Sequence, residues 1–445
     1  MRRVSVVGLG YVGLTFSACL ASRGFEVYGV DIDEEKRRLI SEGRPPIYEE
    51  GLEPLLRRAI SEKLLRITGD FGEAVLGSDV TFICVGTPSR PDGSVDLSQV
   101  KNASRMIGEA LRDKEGYHLV VVRSTVPPGT TEEVVRGCLE SSSGKRVGED
   151  IGLCFNPEFL SEGKAVEGTM NPSRIVIGAV DERSGKLLLE LYRDFHSDRL
   201  PPILVTSPIN AELIKYASNA FLAMKISFAN MFSRLCGRLE GADVAVVMRG
   251  IGMDPRIGGA FLRAGLGWGG SCFPKDTRGI LSFAKSLGVE LKLVEAAIQV
   301  NEEQIDYAVE LAESLAGGLE GKLVAVLGLA FKPGTDDVRE SRSIKLIEKL
   351  LARGAEVRAH DPKALRNARR ILGDRIAYAE SVEDCLKDAE LCILATEWPE
   401  YARITAADLL RLMRDPAILD CRRLYDPEKF KGVKFAAIGL GLPRR

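Results

Sequence analysis

The chain is poor in the residues that build metal sites. Its three histidines, His118, His196 and His360, lie far apart, and none of its nine cysteines belongs to a Cys-x-x-Cys pair. No structural metal is therefore expected, because zinc sites draw on closely spaced Cys and His. An excess of charge is lacking too: 61 Lys and Arg stand against 63 Asp and Glu, a formal net charge of −2. That balance offers no bulk attraction to nucleic acid or to an anionic membrane and leaves room only for a local basic pocket for a small anion. Asn and Gln are scarce, as in heat-adapted proteins. Hydrophobic residues at 45% and charged residues at 28% exclude wholesale disorder and fibrous repeats. The odd cysteine count, with Cys84, Cys154 and Cys392 inside apolar runs, predicts reduced, buried thiols and a cytoplasmic location.

At 445 residues the chain is too long for one core, and two to four domains are expected. Met1-Arg2-Arg3 and the uncharged stretch Val4 to Ser22 have the outline of a signal peptide or membrane anchor. Gly8, Gly10 and Gly13 break that stretch where a targeting core would be continuous, so it is expected to be strand and turn of a folded domain, with no membrane association.

Val4 to Val7 is short, β-branched and apolar, as in a parallel strand buried on both faces. Gly8-Leu9-Gly10-Tyr11-Val12-Gly13 follows, then a helical stretch Leu14 to Arg23, a second strand Val27 to Val30, and Asp31, 21 residues beyond Gly10. In this strand, turn, helix, strand, acid context the pattern is a dinucleotide fingerprint. The first glycine permits the turn, the second lets backbone approach a pyrophosphate, and the third lets helix pack on strand. The helix N-terminus offers its N–H groups to phosphate. Asp31 accepts from a ribose diol and repels a 2′-phosphate, which favours NAD over NADP. Further strands at Val80 to Val85, Leu119 to Val122 and Ile151 to Phe155 end in polar loops that should line one crevice.

From about Asn210 a long helical pattern runs to about Leu239, another spans Leu291 to Leu315, and Gly317-Gly318 marks a boundary. Strands at Leu323 to Leu327, Glu356 to Ala359, Leu391 to Ala395 and Ala417 to Asp420 then repeat the N-terminal order without its glycine fingerprint. The expected fold is α/β, with two Rossmann-like doubly wound domains joined by a long central helix: residues 1–208, a central region 209–317 and a C-terminal domain 318–445.

Gly265, Gly267, Gly269 and Gly270 put four glycines into six positions just ahead of Cys272, and Lys275 and Asp276 follow. Such density points away from packing and toward close approach of a ligand. Lys275 would favour the thiolate, the nucleophilic form of Cys272.

These segments, together with Val85 to Pro88, Ser124 to Val126, Asn156 to Gly163 and Phe331 to Asp337, resemble in order and over nearly the whole length the nucleotide-sugar 6-dehydrogenases. The resemblance implies an NAD-dependent, four-electron oxidation of the C6 alcohol of a UDP-sugar, UDP-glucose in the first place, to a carboxylate. It makes Cys272 the nucleophile of a thiohemiacetal and thioester, and Glu158 the base for the hydrolytic water, with a raised pKa expected for a shielded carboxylate. Lys215 and Asn219, spaced i, i+4, would aim at one oxygen at C6. Asp276 would take the alcohol proton with Lys215, and Thr125 would position a water or the nicotinamide.

As cofactor contacts the resemblance implies Gly8, Gly10, Tyr11, Val12, Gly13, Asp31, Lys36, Gly86, Thr87, Thr125, Lys275, Arg339 and Glu162, the last one helical turn beyond Glu158 if that segment is helical. As substrate contacts it implies Glu158, Phe159, Leu160, Lys215, Asn219, Arg256, Phe261, Leu262, Arg263, Gly269, Phe331, Lys332 and Arg422. Arg256 would reach across from a neighbouring subunit, so a homodimer or larger assembly is expected. GDP-mannose and UDP-N-acetylhexosamine oxidation are the nearest alternatives, the segment Asn156 to Gly163 favouring the glucose and GDP-mannose branches. A reading of another class is a non-catalytic NAD-sensing regulator, in which Cys272, Lys215 and Glu158 would be dispensable.

Overall fold

A computed structural model describes residues 2–197 and 199–441. The chain forms two compact units: one takes in the chain through Ser218 together with Arg278–Leu287, the other Asn219–Thr277 and the chain from Gly288 on. The helix Pro208–Gly237 starts in the first unit and continues into the second.

The first unit holds strands β1 (Arg3–Val7), β2 (Glu26–Val30), β3 (Leu65–Thr68), β4 (Val80–Ile83), β5 (His118–Val122), β6 (Ile151–Phe155), β7 (Ile175–Ala179) and β8 (Ile203–Thr206). They lie in the order β3-β2-β1-β4-β5-β6-β7-β8. All neighbours are parallel except β6 and β7, so the last two strands run against the first six. The central strands are Val- and Ile-rich because both faces are covered: Leu119 and Val121 enter one apolar layer, Val120 and Val122 the other. The N-terminal stretch is β1, a turn and the buried helix Tyr11–Ser22. Among the described residues no helix is long and apolar enough to cross a membrane.

The second unit has an all-parallel sheet of β9 (Leu323–Leu327), β10 (Glu356–His360), β11 (Ala377–Tyr378), β12 (Leu391–Leu394), β13 (Ala417–Asp420) and β14 (Lys434–Ala437), in the order β11-β10-β9-β12-β13-β14. Five strands, β3, β7, β8, β11 and β14, go beyond those expected from sequence. Four of them are sheet edges, short and partly exposed, so their hydrophobic signal is weak.

The two units repeat one turn. Gly8 (φ +94°) donates its N–H to Val30 O at 2.7 Å, and Gly328 (φ +100°) donates to His360 O at 2.8 Å. The next residue donates to the acid after the second strand: Leu9 N–H to Asp31 at 2.9 Å, Leu329 N–H to Asp361 at 2.7 Å. The acids then differ. Asp361 also accepts from the N–H groups of Ala330, Lys363 and Ala364 and from the Trp398 indole.

All nine cysteines are free. Cys154 and Cys392 are buried as expected, whereas Cys84 is only partly so, because it lies just past the end of β4 where the sheet opens to the turn.

Candidate active site

In the first unit, a Cβ on Gly13 would collide with Gly8 O, and one on Gly8 would come within 2.8 Å of the Cys84 carbonyl, so packing of the chain on itself requires both glycines. Gly10 is different. Its φ of −75° and ψ of −162° suit any residue, and a Cβ there would meet nothing within 4 Å. Nothing in the chain itself requires glycine at position 10, and the open space there suits the close approach of a phosphate. Gly10 is also the N-cap of the helix Tyr11–Ser22, with no side chain capping it, and Leu14 N–H is the first to bond back, at 2.9 Å to Gly10 O. The N–H groups of Tyr11, Val12 and Gly13 thus remain for an anion.

Asp31 is buried. Its Oδ2 accepts from Leu9 N–H and from the Lys36 ammonium, each at 2.9 Å, and Oδ1 from Asp33 N–H at 3.0 Å. Burial pushes the carboxyl up, but the Asp33 N–H and Lys36 more than offset this and hold it below the usual carboxylate value. About four acceptor positions on a carboxylate leave one on Oδ1 for a ribose hydroxyl. Lys36, expected at the cofactor, pairs with this acid. Ile32 next to it is 80% exposed, an apolar residue that the sequence reading does not single out.

Beyond β4 and β5, Ser124 Oγ donates to Val85 O at 2.7 Å and joins the segment of Gly86 and buried Thr87 to that of half-buried Thr125. Beyond β6, Asn156 donates to Val122 O and Val176 O, both at 2.8 Å, and accepts from Arg123 and Tyr192. Glu158 follows and is buried. Lys215 Nζ donates to its Oε1 at 2.9 Å and to its carbonyl at 2.7 Å, and Leu160 N–H donates to Oε2 at 2.6 Å. The expected rise in its pKa is not found. Burial pushes the carboxyl up, yet the adjacent Lys215 ammonium and the Leu160 N–H hold it below the usual range. The Phe159 ring lies under Arg174 at 3.9 Å and Lys215 at 5.5 Å.

Residues 156–163 form loop and turn, so Glu162 is not one helical turn beyond Glu158; the helix begins only at Ala165. Glu49, absent from the sequence reading, holds this loop by accepting from the N–H groups of Gly163 (2.7 Å) and Ala165 (2.6 Å) and from the Tyr11 hydroxyl. The Tyr11 side chain is therefore spent on the loop, and its backbone N–H is the part left for a cofactor.

In the second unit, Cys272 directly precedes the helix Phe273–Ser286 and accepts its first bond from Asp276 N–H at 2.8 Å. A helix N-terminus is a setting in which a negative sulfur is favoured. The Asp276 carboxylate accepts from Lys275 Nζ and from Asn219 Nδ2, both at 2.6 Å. Lys275 thus binds the neighbouring acid.

The glycines before Cys272 do serve packing, contrary to expectation. A Cβ on Gly265 would lie 2.9 Å from Cys421 O and one on Gly270 2.7 Å from the Phe331 ring, while Gly267 and Gly269 would collide with Asn301 and with Glu340 O. The loop needs glycine because it is pressed onto residues 331–342 and 421. Gly270 N–H donates to Arg339 O at 3.1 Å, so the segments Gly269 to Asp276 and Phe331 to Asp337 are brought together.

Buried amides missed by the sequence reading complete that anchorage. Asn301 exchanges bonds with both backbone groups of Trp268, Asn230 Oδ1 accepts from Gly265 N–H at 2.8 Å, and Gln304 Nε2 donates to Gly265 O at 2.9 Å. Their signal was present: Asn301 and Gln304 are polar positions on the buried face of the helix Lys292–Ala316.

Among the remaining expected contacts, Arg422 bonds Ala395 O and lies 3.3 Å from Glu397. Lys332 Nζ is 5.5 Å from the Phe331 ring centroid. Leu262 is buried, while Phe261 and Arg263 are exposed. Arg256 and Arg339 are exposed and each grips a nearby acid, Asp254 and Asp337.

The glycine turn, the open helix N-terminus and the part-used Asp31 define a dinucleotide-binding domain of the dehydrogenase type. The chain belongs to the UDP-glucose/GDP-mannose dehydrogenase family, whose NAD binding domain matches residues 2–196, central domain residues 209–303 and UDP binding domain residues 325–427. It is an NAD-dependent oxidoreductase. A UDP-glucose 6-dehydrogenase of Haloferax volcanii, AglM, is 46% identical over 422 residues, covering 95% of this chain and 96% of the relative. A solved UDP-glucose dehydrogenase from Pyrobaculum islandicum is 45% identical with a TM-score of 0.91, over 99% of this chain and 98% of that one. A UDP-D-ManNAc dehydrogenase from Pyrococcus horikoshii is 31% identical with a TM-score of 0.87, over 98% and 99%.

Proposed function

We propose that the protein oxidises the C6 alcohol of UDP-glucose to the carboxylate of UDP-glucuronate. The observation that carries the reading is the cluster of Cys272, Asp276 and Asn219 at one helix N-terminus, which provides nucleophile, proton acceptor and amide donor together. Gly8 to Gly13 and Asp31 would hold NAD, which would supply the hydride acceptor for each of two oxidations at C6.

Asp276, with Lys215, takes the hydroxyl proton as the first hydride leaves C6 and the aldehyde forms. Cys272 Sγ then adds to C6, and the carbonyl oxygen becomes an oxyanion held by Lys215 and the Asn219 amide. The oxyanion reforms a C=O bond as the second hydride departs, which leaves a thioester on Cys272. Glu158, ionised through its pairing with Lys215, removes a proton from water; the water oxygen adds to C6, the C–S bond breaks and the thiolate returns. Thr125 orients that water or the nicotinamide.

The two relatives named above at 46% and 45% identity carry UDP-glucose in their names, and the N-acetylmannosamine relative is the more distant, which supports glucose as the sugar. The enzyme acts in the cytoplasm as a homodimer or larger assembly. Phe221, Phe228, Met231 and Leu235 are exposed along one stripe of the helix Pro208–Gly237, a face suited to a second copy.

The test is a count of NADH against limiting UDP-glucose, GDP-mannose and UDP-N-acetylglucosamine. Two NADH per UDP-glucose are expected. One per sugar would overturn the four-electron course, and no turnover with any sugar would favour a regulator.

A further inference from the structure

Glu212 is fully buried on the long helix, one turn before Lys215, and none of the steps above uses it. Its Oε1 accepts from Thr131 N–H at 2.9 Å and from the Thr131 hydroxyl at 2.6 Å, and its Oε2 from Gly129 N–H at 2.6 Å. These donors close the segment that leaves β5 and contains Ser124 and Thr125. Gly129 sits at φ +89°, a left-handed turn that glycine adopts freely and that brings its N–H to the carboxylate.

No lysine or arginine pairs with Glu212 among the described residues, and burial pushes its carboxyl up to about 7, the donors at Thr131 and Gly129 opposing and the like charge of Glu132 adding to the rise. A buried carboxylate without a countercharge is costly to keep. An apolar side chain would fill the space more cheaply but could not fix two backbone N–H groups in direction.

We propose that Glu212 is a positioning residue for the reaction: it latches the segment bearing Thr125 to the helix bearing Lys215, so that the two side chains keep a fixed spacing through turnover. The inference rests on the reading of Thr125 as a contact of the nicotinamide or the hydrolytic water. Glu212 itself touches no reacting atom. Its effect belongs chiefly to kcat, because the glycine turn and Asp31 that would hold the rest of NAD lie outside the segment that a lost latch would displace.

Glu212→Gln replaces one acceptor with an NH2 group that faces the Gly129 N–H, donor against donor. It should lower kcat with UDP-glucose roughly ten- to a hundredfold, the scale of small misplacements, with KM for both substrates within about twofold. In the protein without NAD, deuterium exchange in the peptide covering Gly129 to Val135 should quicken. Thr131→Val should lower kcat in the same direction, and Thr131→Ser, which restores the hydroxyl, should recover it. That pair decides the matter even if Glu212→Gln folds poorly.

Wild-type kcat in Glu212→Gln and Thr131→Val, alongside loss in Thr125→Val, would overturn the latch and leave the reading of Thr125 standing. Wild-type kcat in Thr125→Val would overturn that reading and the inference with it.

Discussion

Asp31 and Glu158 are both buried carboxylates held ionised, and each supports a prediction at its own atom. Asp31→Ala removes the ribose acceptor and unpairs Lys36. NAD affinity measured by calorimetry should fall by about 1.5–3 kcal/mol, the worth of a charged hydrogen bond, and discrimination against NADP should shrink. Unaltered NAD affinity would mean the acid serves only the turn. Glu158→Gln keeps the nucleophile and both oxidations but lacks the base, so hydrolysis should slow by roughly 10²–10⁴. Two NADH per site should then appear in a burst, and mass spectrometry should find the sugar nucleotide on the peptide containing Cys272, removable by hydroxylamine; neither burst nor adduct would place Glu158 outside deacylation.

Glu158 also shapes stability against pH. Its folded pKa lies below the ordinary 4.5, so the native state binds fewer protons there than the unfolded chain, and the stabilisation is fully present above about 4.5 and fades as pH falls through the folded value. Urea melts of wild type and Glu158→Gln should therefore converge on acidification. Divergence would mean that Lys215 does not hold the charge. The identity of Glu158 was legible from the residues after β6, but the direction of its pKa was not, because Lys215 lies 57 residues further along and only folding sets the ammonium on the carboxylate.

Several elements were legible as apolar runs or as long helical patterns. β6, β9 and β13 fall where apolar runs predicted them, and the long helix begins two residues before its expected start. β7, Ile175–Ala179, is as apolar as those strands, and its signal was in the sequence. The glycine loop was the opposite case. Its density marked a site, but not that backbone from residues 339–342 and 421 would press on it, since that depends on contacts remote in sequence.

The loop predicts its own sensitivity. Gly269→Ala would drive a methyl into Glu340 O, and the strain has to be relieved by moving the backbone that precedes Cys272. Reaction of Cys272 with iodoacetamide should change several-fold in that variant while NAD binding to the first unit is kept. An unchanged rate would show that the loop yields elsewhere. Phe261, Glu340 and Arg423 have positive φ without being glycine, and each is, or adjoins, an expected ligand contact. Such strain is retained where neighbours enforce it.

At the scale of the molecule, the apolar stripe on the long helix predicts self-association. Met231→Glu together with Leu235→Glu should shift the sedimenting species to a monomer. No shift would move the interface to another face.

The repeated turn has a consequence for saturation. Asp361 receives five donors on two oxygens, more than the roughly four acceptor positions a carboxylate offers. Asp31 receives three. The second sheet therefore repeats the dinucleotide architecture while its acid has nothing left for a diol, and a chain with two such folds titrates as a single-site binder. Equilibrium titration with NAD should reach an endpoint at one equivalent per chain, with no second plateau.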